Sequence, residues 1–118
     1  MPLPTAARVV QVIVSTRDHE ESAAFYSTVL GLPFHADISS FQFGTWDTES
    51  FFLLTIENWF DEATPSCFGL LVDDVDSMHR RALECGATEV APPADYAWKP
   101  RSSVIDDPSG NRIQLSQA

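Results

Sequence analysis

Apolar and polar residues alternate at the start of the chain. Val10, Val12 and Val14 fall on one side and Gln11, Ile13 and Ser15 on the other, the period of two of a half-buried strand. The period then lengthens: after Asp18, the residues Phe25, Tyr26, Val29 and Leu30 recur at helical spacing and predict a helix that carries them toward a core. Asp18 followed by Glu21 has the form of a capping box, Gly31 suits the left-handed position that closes a helix, and Pro33 forbids continuation. Segments 34–38, 40–45 and 51–57, rich in aromatic and β-branched residues, predict three strands.

The same order then recurs. Gln11 precedes Asp18 by seven residues, as Cys67 precedes Asp74; Asp18 precedes Gly31 by thirteen and Asp74 precedes Gly86 by twelve. In the second copy Val75, Met78, Ala82 and Cys85 form the apolar stripe of a helix that Asp76 can cap and Gly86 terminates. Strands are predicted over 88–91, 102–106 and 112–116, the last two joined by the turn-forming residues 107–111, DPSGN. The chain thus reads as one domain over 1–118, built from module 9–58 and module 67–116 with residues 59–66 as linker: an α+β fold of two tandem βαβββ units.

Composition changes this picture in one respect. The 118 residues are 44% hydrophobic and 20% charged, enough for a core, but 17 acidic against 7 basic residues leave a net charge of −10. A phosphate backbone is held by Lys and Arg, so nucleic acid and anionic membrane are disfavoured as partners and cationic or neutral small molecules favoured. Solubility alone is the plain alternative for the acidity. Residues 1–10 never open into the apolar core of a signal peptide, and the apolar runs 51–56 and 67–72 fall far short of the about 20 residues of a membrane span. A cytoplasmic location is therefore expected, with Cys67 and Cys85 as reduced thiols.

The twofold βαβββ plan, DHEESAAFY on the first helix and DPSGNRIQL at the end resemble the vicinal oxygen chelate superfamily of glyoxalases, extradiol dioxygenases and bleomycin-resistance proteins. The resemblance implies a cupped mixed sheet around a cleft, helices on the outside, and a homodimer. It also implies where catalytic members hold a divalent metal. Those positions fall here on Gln11, Cys67 and Gln114, with a further one near Leu53 or Thr55. Two neutral amides and a thiol offer neither imidazole nor carboxylate, so no metal and no cofactor are expected.

The other candidates are weaker. His19, His35 and His79 form no spaced pair and read as structural, and Asp73, Asp74 and Asp76 suit a helix start better than a cation. Cys67 has no neighbouring base and reads as a small hydrophobe lining a cavity. What remains is aromatic: Phe41 and Phe43 on one strand face, then Trp46, Phe51, Phe52, Trp59, Phe60, Tyr96 and Trp98, suited to stacking on flat ligands or holding cations. Arg101 could neutralise a ligand anion or pair with a surface acid.

The expected ligand-binding set is Gln11, Phe41, Phe43, Trp46 and Trp59 from the first module, with Cys67, Tyr96, Trp98, Arg101 and Gln114 from the second. The leading functional expectation is a metal-free protein sequestering an aromatic or cationic ligand. A metal-dependent lyase, isomerase or dioxygenase with altered ligands, and an interaction module with a filled cleft, are the alternatives.

Overall fold

A computed structural model describes residues 11–35, 40–44, 52–57 and 65–118. Trp46, Phe51, Trp59 and Phe60 lie outside the described residues. The first module contributes β1 (Gln11–Ser15), α1 (His19–Ala24), β2 (Phe34–His35), β3 (Ser40–Phe43) and β4 (Phe52–Glu57). The second contributes β5 (Cys67–Val72), α2 (Val75–Glu84), β6 (Thr88–Ala94), β7 (Ser102–Asp106) and β8 (Arg112–Gln117). Each module forms its own four-stranded mixed sheet, ordered β1-β4-β3-β2 and β5-β8-β7-β6, with one parallel pair and two antiparallel pairs apiece. The second Gly-to-strand segment runs further than its pattern predicted, because β6 carries Pro92 and Pro93 on an edge where missing N–H groups break no ladder.

Both helices start on the repeat's shared aspartate. The Asp18 carboxylate accepts the Glu21 N–H at 3.1 Å, but Asp18's own N–H goes to Thr16 Oγ1, so the expected reciprocal box is only half made. In α2 the cap is Asp74, accepting from Ser77 N–H and Oγ–H, and not Asp76, whose carboxylate is taken by Arg101. After Ala24 the first helix widens into a π turn over Phe25–Val29, with Leu30 N–H donating to Phe25 O. Gly31 (φ 74°) and Gly86 (φ 103°) close the two helices in the left-handed region, as expected.

Cys85 does not belong to the α2 stripe: it is exposed, and His79 is the buried residue between Val75 and Ala82. A single apolar cluster joins the modules, with Val14, Tyr26, Phe41 and Leu54 from one and Ile105, Ile113 and Leu115 from the other. Phe41 and Phe43 do share a strand face, but it is the helix-facing one. Phe41 is wholly buried, its ring 5.1 Å from Phe34 and 6.0 Å from Tyr26, so it serves the core and not an open cleft.

The two stretches that carried the resemblance meet in space. Tyr26 Oη–H donates to Asp107 Oδ2 at 2.6 Å, while Asp107 Oδ1 accepts the N–H groups of Ser109 and Asn111. Asn111 extends the chain of bonds to Asp107 Oδ2, to Ser15 O at 2.7 Å and from Ser66 N–H at 2.9 Å. Burial, then the adjoining Asp107 carboxylate, pushes the Tyr26 phenol far above its ordinary range, so it stays a donor at any physiological pH.

Candidate functional site

Each sheet turns one face to the helices, and strand parity fixes what the other face carries. In the first sheet, Val12, Val14, Leu54 and Ile56 pack inward, leaving Gln11, Ile13, Leu53, Thr55, Ser40 and Gln42 on the opposite face. Gln11 is level with Leu53 in the register, yet its Nε2–H donates to Thr55 Oγ1 at 2.8 Å, and Thr55 Oγ1 lies 2.8 Å from Ser40 Oγ. The amide at the first metal position is thus engaged in a cross-strand network of neutral groups.

In the second sheet the same parity places Cys67, Gly69 and Leu71 of β5 beside Arg112, Gln114 and Ser116 of β8, then Asp106, Val104 and Ser102 of β7. In the middle, Gly69 is level with Gln114 and Val104, so β5 alone presents no side chain there. The two ends differ. Cys67 is exposed, not lining an enclosed cavity, and sits level with Arg112, which pairs with Asp106 at 3.0 Å. At the other end Leu71, 75% exposed, is level with Ser116 and Ser102, and the loop that follows β6 presents Tyr96 and Trp98. The 6 residues of β5 at about 3.3 Å each set the ends roughly 17 Å apart. The structure therefore does not gather the expected residues at one point: Cys67 is at one end, Gln114 is central, and Tyr96, Trp98 and Arg101 are at the other.

The loop between β6 and β7 is stiffened by charge. Arg101 forks onto Asp76 of α2 with Nε–Oδ2 and Nη2–Oδ1 both 2.9 Å, and its Nη1 lies 3.3 Å from Asp95. Hydrogen bonding to Arg101 holds the Asp76 carboxyl below its ordinary value, and the bonds to Asp76 and then Asp95 push the guanidinium higher still. Within the loop the Tyr96 and Trp98 rings lie 5.4 Å apart, with Lys99 Nζ 4.4 Å from the Tyr96 ring centre. Trp98 is 78% exposed.

The catalytic members of the resembling superfamily need a divalent cation, and the residues present do not fit one. Among the described residues no three His, Cys, Asp or Glu side chains come together. Gln11 is bonded to Thr55, Gln114 donates to Ser116 at 3.2 Å, and Cys67 has the cation of Arg112 beside it. A neutral amide pair and one thiol next to a guanidinium are a poor cradle for a dication.

Two features lay beyond sequence reasoning: the partners of His79, itself read as structural, and the exposure of Leu71. His79 is held by Ser103 Oγ at Nδ1 and Glu89 Oε2 at Nε2, both 2.8 Å, the residue types of a hydrolase triad with its two imidazole nitrogens exchanged. Ser103 is only 1% exposed on the helix-facing side of β7, where no substrate carbonyl reaches it, so the three groups tie α2 to its sheet. Leu71 was hidden because the run 67–72, CFGLLV, shows no polar alternation that would assign its faces. A groove of about 410 Å³ runs beside Leu71, between Leu30 and Leu32 of the first module and Met78 and Arg81 of α2. No helix among the described residues is long and apolar enough to cross a membrane.

Comparison with known proteins bears on this arrangement. Residues 11–116 match the family model described as a glyoxalase-like domain. Among solved structures, TnmS3, an antibiotic binding protein from a Streptomyces species, is 26% identical with a TM-score of 0.65, covering 95% of this chain and 96% of that one. A glyoxalase/bleomycin resistance protein from Albidiferax ferrireducens, 23% identical with a TM-score of 0.70 over 92% of this chain and 98% of that one, shares the fold. An uncharacterised protein of Mycobacterium tuberculosis is 43% identical over 54 residues, which are 46% of this chain and 32% of the relative's own length.

Proposed function

The chain belongs to the glyoxalase-like domain family, and we propose that within it this protein is a binder, sequestering an aromatic or cationic small molecule without metal chemistry. The observation that carries the reading is the Gln11–Thr55–Ser40 network, which uses neutral, mutually bonded groups where a catalytic member would place metal ligands. The gap left by Gly69 beside Gln114 and Val104, and the serines Ser116 and Ser102 at the end of the sheet that Leu71 and the Tyr96–Trp98 loop share, suit a flat ligand. The net charge of −10 favours a cation over an anion. Similarity to the antibiotic binding protein TnmS3 points the same way. The faces left without a helix, with Leu71 on one of them, support assembly as a homodimer, which sedimentation equilibrium measures directly.

The test is calorimetric titration of purified protein with the planar cation proflavine, in parallel with nickel, zinc, manganese and iron(II) under reducing conditions. The expected result is saturable binding of proflavine and no stoichiometric metal. One tightly held metal per chain would overturn the reading and return Cys67 and Gln114 to a ligand role.

A further inference from the structure

Arg101 was a candidate for gripping a ligand anion, but all three of its guanidinium nitrogens face carboxylates of the protein. The fork onto Asp76 uses Nε and Nη2, the third arm reaches Asp95, and the backbone carbonyl of the same residue accepts Gln117 N–H at 2.9 Å. Gln117 in turn fastens the start of α2: its Oε1 accepts Val75 N–H at 3.0 Å and its Nε2 donates to Asp73 O. Both ends of the β6–β7 loop, at Asp95 and at Arg101, are thereby tied to one helix terminus.

Between those ties stands Trp98, the most exposed large apolar side chain among the described residues. Leaving an indole in water is unfavourable, and an untethered loop would be free to fold it down against other apolar surface such as the exposed Leu71. A loop held at both ends cannot relax that way. We propose that Arg101 is a positioning residue: by clamping Asp76 and Asp95 it fixes the 95–101 loop so that the Trp98 face stays open and pre-ordered for stacking on a planar ligand. The ligand class rests on the binding reading above; the clamp itself does not. Pre-ordering matters because immobilising a loop only when ligand arrives subtracts from affinity.

The experiment uses the full chain labelled with 5-fluorotryptophan, with the Trp98 fluorine resonance identified by its loss in Trp98→Phe. In Arg101→Gln that resonance is expected to shift and broaden while far-UV circular dichroism is unchanged. Arg101→Lys, which keeps the charge but not the fork, should behave like Arg101→Gln. Should Arg101→Gln fail to fold, Asp95→Asn and Asp76→Asn loosen the clamp from the other side with the same readout. A Trp98 resonance indifferent to all of these overturns the proposal.

Proflavine titrations then separate the clamp from the binding reading. Trp98→Ala is expected to weaken proflavine about tenfold, Arg101→Gln by a similar factor, and the double variant no further than either. If Arg101→Gln costs as much in the Trp98→Ala background as alone, the guanidinium acts on the ligand itself and the positioning role falls. If wild type binds no proflavine while the resonance still responds to Arg101→Gln, the clamp stands and the binding reading fails for planar cations.

Discussion

Asp18 and Asp74 occupy the same step of the repeat and take nearly the same backbone angles, φ −148° with ψ 105° and φ −144° with ψ 101°. Each accepts the N–H three residues on, and each helix ends at a glycine with positive φ. Past that shared start the helices are anchored by opposite means. The first opens into a π turn that drives Phe25 and Tyr26 into the core and sends the Tyr26 hydroxyl across to Asp107 of the other module. The second stays α-helical and is fastened to its own sheet through His79, Ser103 and Glu89. The first helix reaches the far module through a buried bond; the second buries its polar tie within its own module and reaches the other only at the surface, where Arg81 Nη2–H donates to Thr28 O. Duplication of local signals therefore leaves tertiary anchoring free to diverge.

The sharpest way to break this contrast is at Asp107. Its carboxylate satisfies Tyr26 Oη–H, two backbone N–H groups and the Asn111 amide in a buried setting. Asp107→Ala should cost about 4 kcal/mol, since several buried donors lose their acceptor at once. Tyr26→Phe, which removes one of those bonds, should cost about 2 kcal/mol. Urea unfolding followed by circular dichroism should show one transition in both variants, displaced to lower urea with the slope kept. An unmoved midpoint in Tyr26→Phe would mean that the bond is incidental, with packing alone holding the modules together.

His79→Leu probes the other anchor. Filling the site with an apolar side chain keeps volume but leaves Ser103 Oγ, 1% exposed, without its partner, a loss of about 2 kcal/mol. The effect should be local: hydrogen exchange ought to quicken along Val75–Glu84 and leave β1 and β4 protected. Quickening spread evenly over both modules would erase the contrast. Smaller still are Asp18→Ala and Asp74→Ala, each expected to lower the urea midpoint slightly through the loss of an N-cap. Near-equality of the two would confirm that the repeat holds at the helix starts.

Much of this was readable from residue spacing, and the reason is that the signals involved are local. Caps, closing glycines, the DPSGN turn and the alternation of β1 depend on neighbours within a few residues. Phe41 and Cys85 were misplaced because period alone does not say which face of an element meets the core. His79 was taken as merely structural, and its two partners, Ser103 and Glu89, come from strands that only the sheet register brings to it. The site was the least legible part. Identities at Gln11, Cys67 and Gln114 were informative as chemistry, whereas the separation of Cys67 from the Tyr96–Trp98 loop follows from β5 running the length of its sheet.

The finest test uses acid. Asp74 and Asp76 are neighbours at the start of α2, the first exposed and the second half-buried, both with carboxyls held below their ordinary value of 3.8, but for different reasons. Hydrogen bonds from Ser77 lower the one, and the Arg101 fork lowers the other. A carboxyl lowered on folding lends its stability above the unfolded value and loses it as pH falls through the folded one. Wild-type melting temperature should therefore be flat with respect to these groups above about pH 5 and decline below pH 4. Asp76→Asn should flatten part of that acid decline without altering the neutral-pH circular dichroism, and Arg101→Gln should flatten the same part, since it raises Asp76 back toward its unfolded value. Asp74→Asn should remove a separate portion. If Asp76→Asn and Arg101→Gln flatten the curve additively, the two residues do not act as a pair, and the loop between β6 and β7 is fastened by something other than the fork.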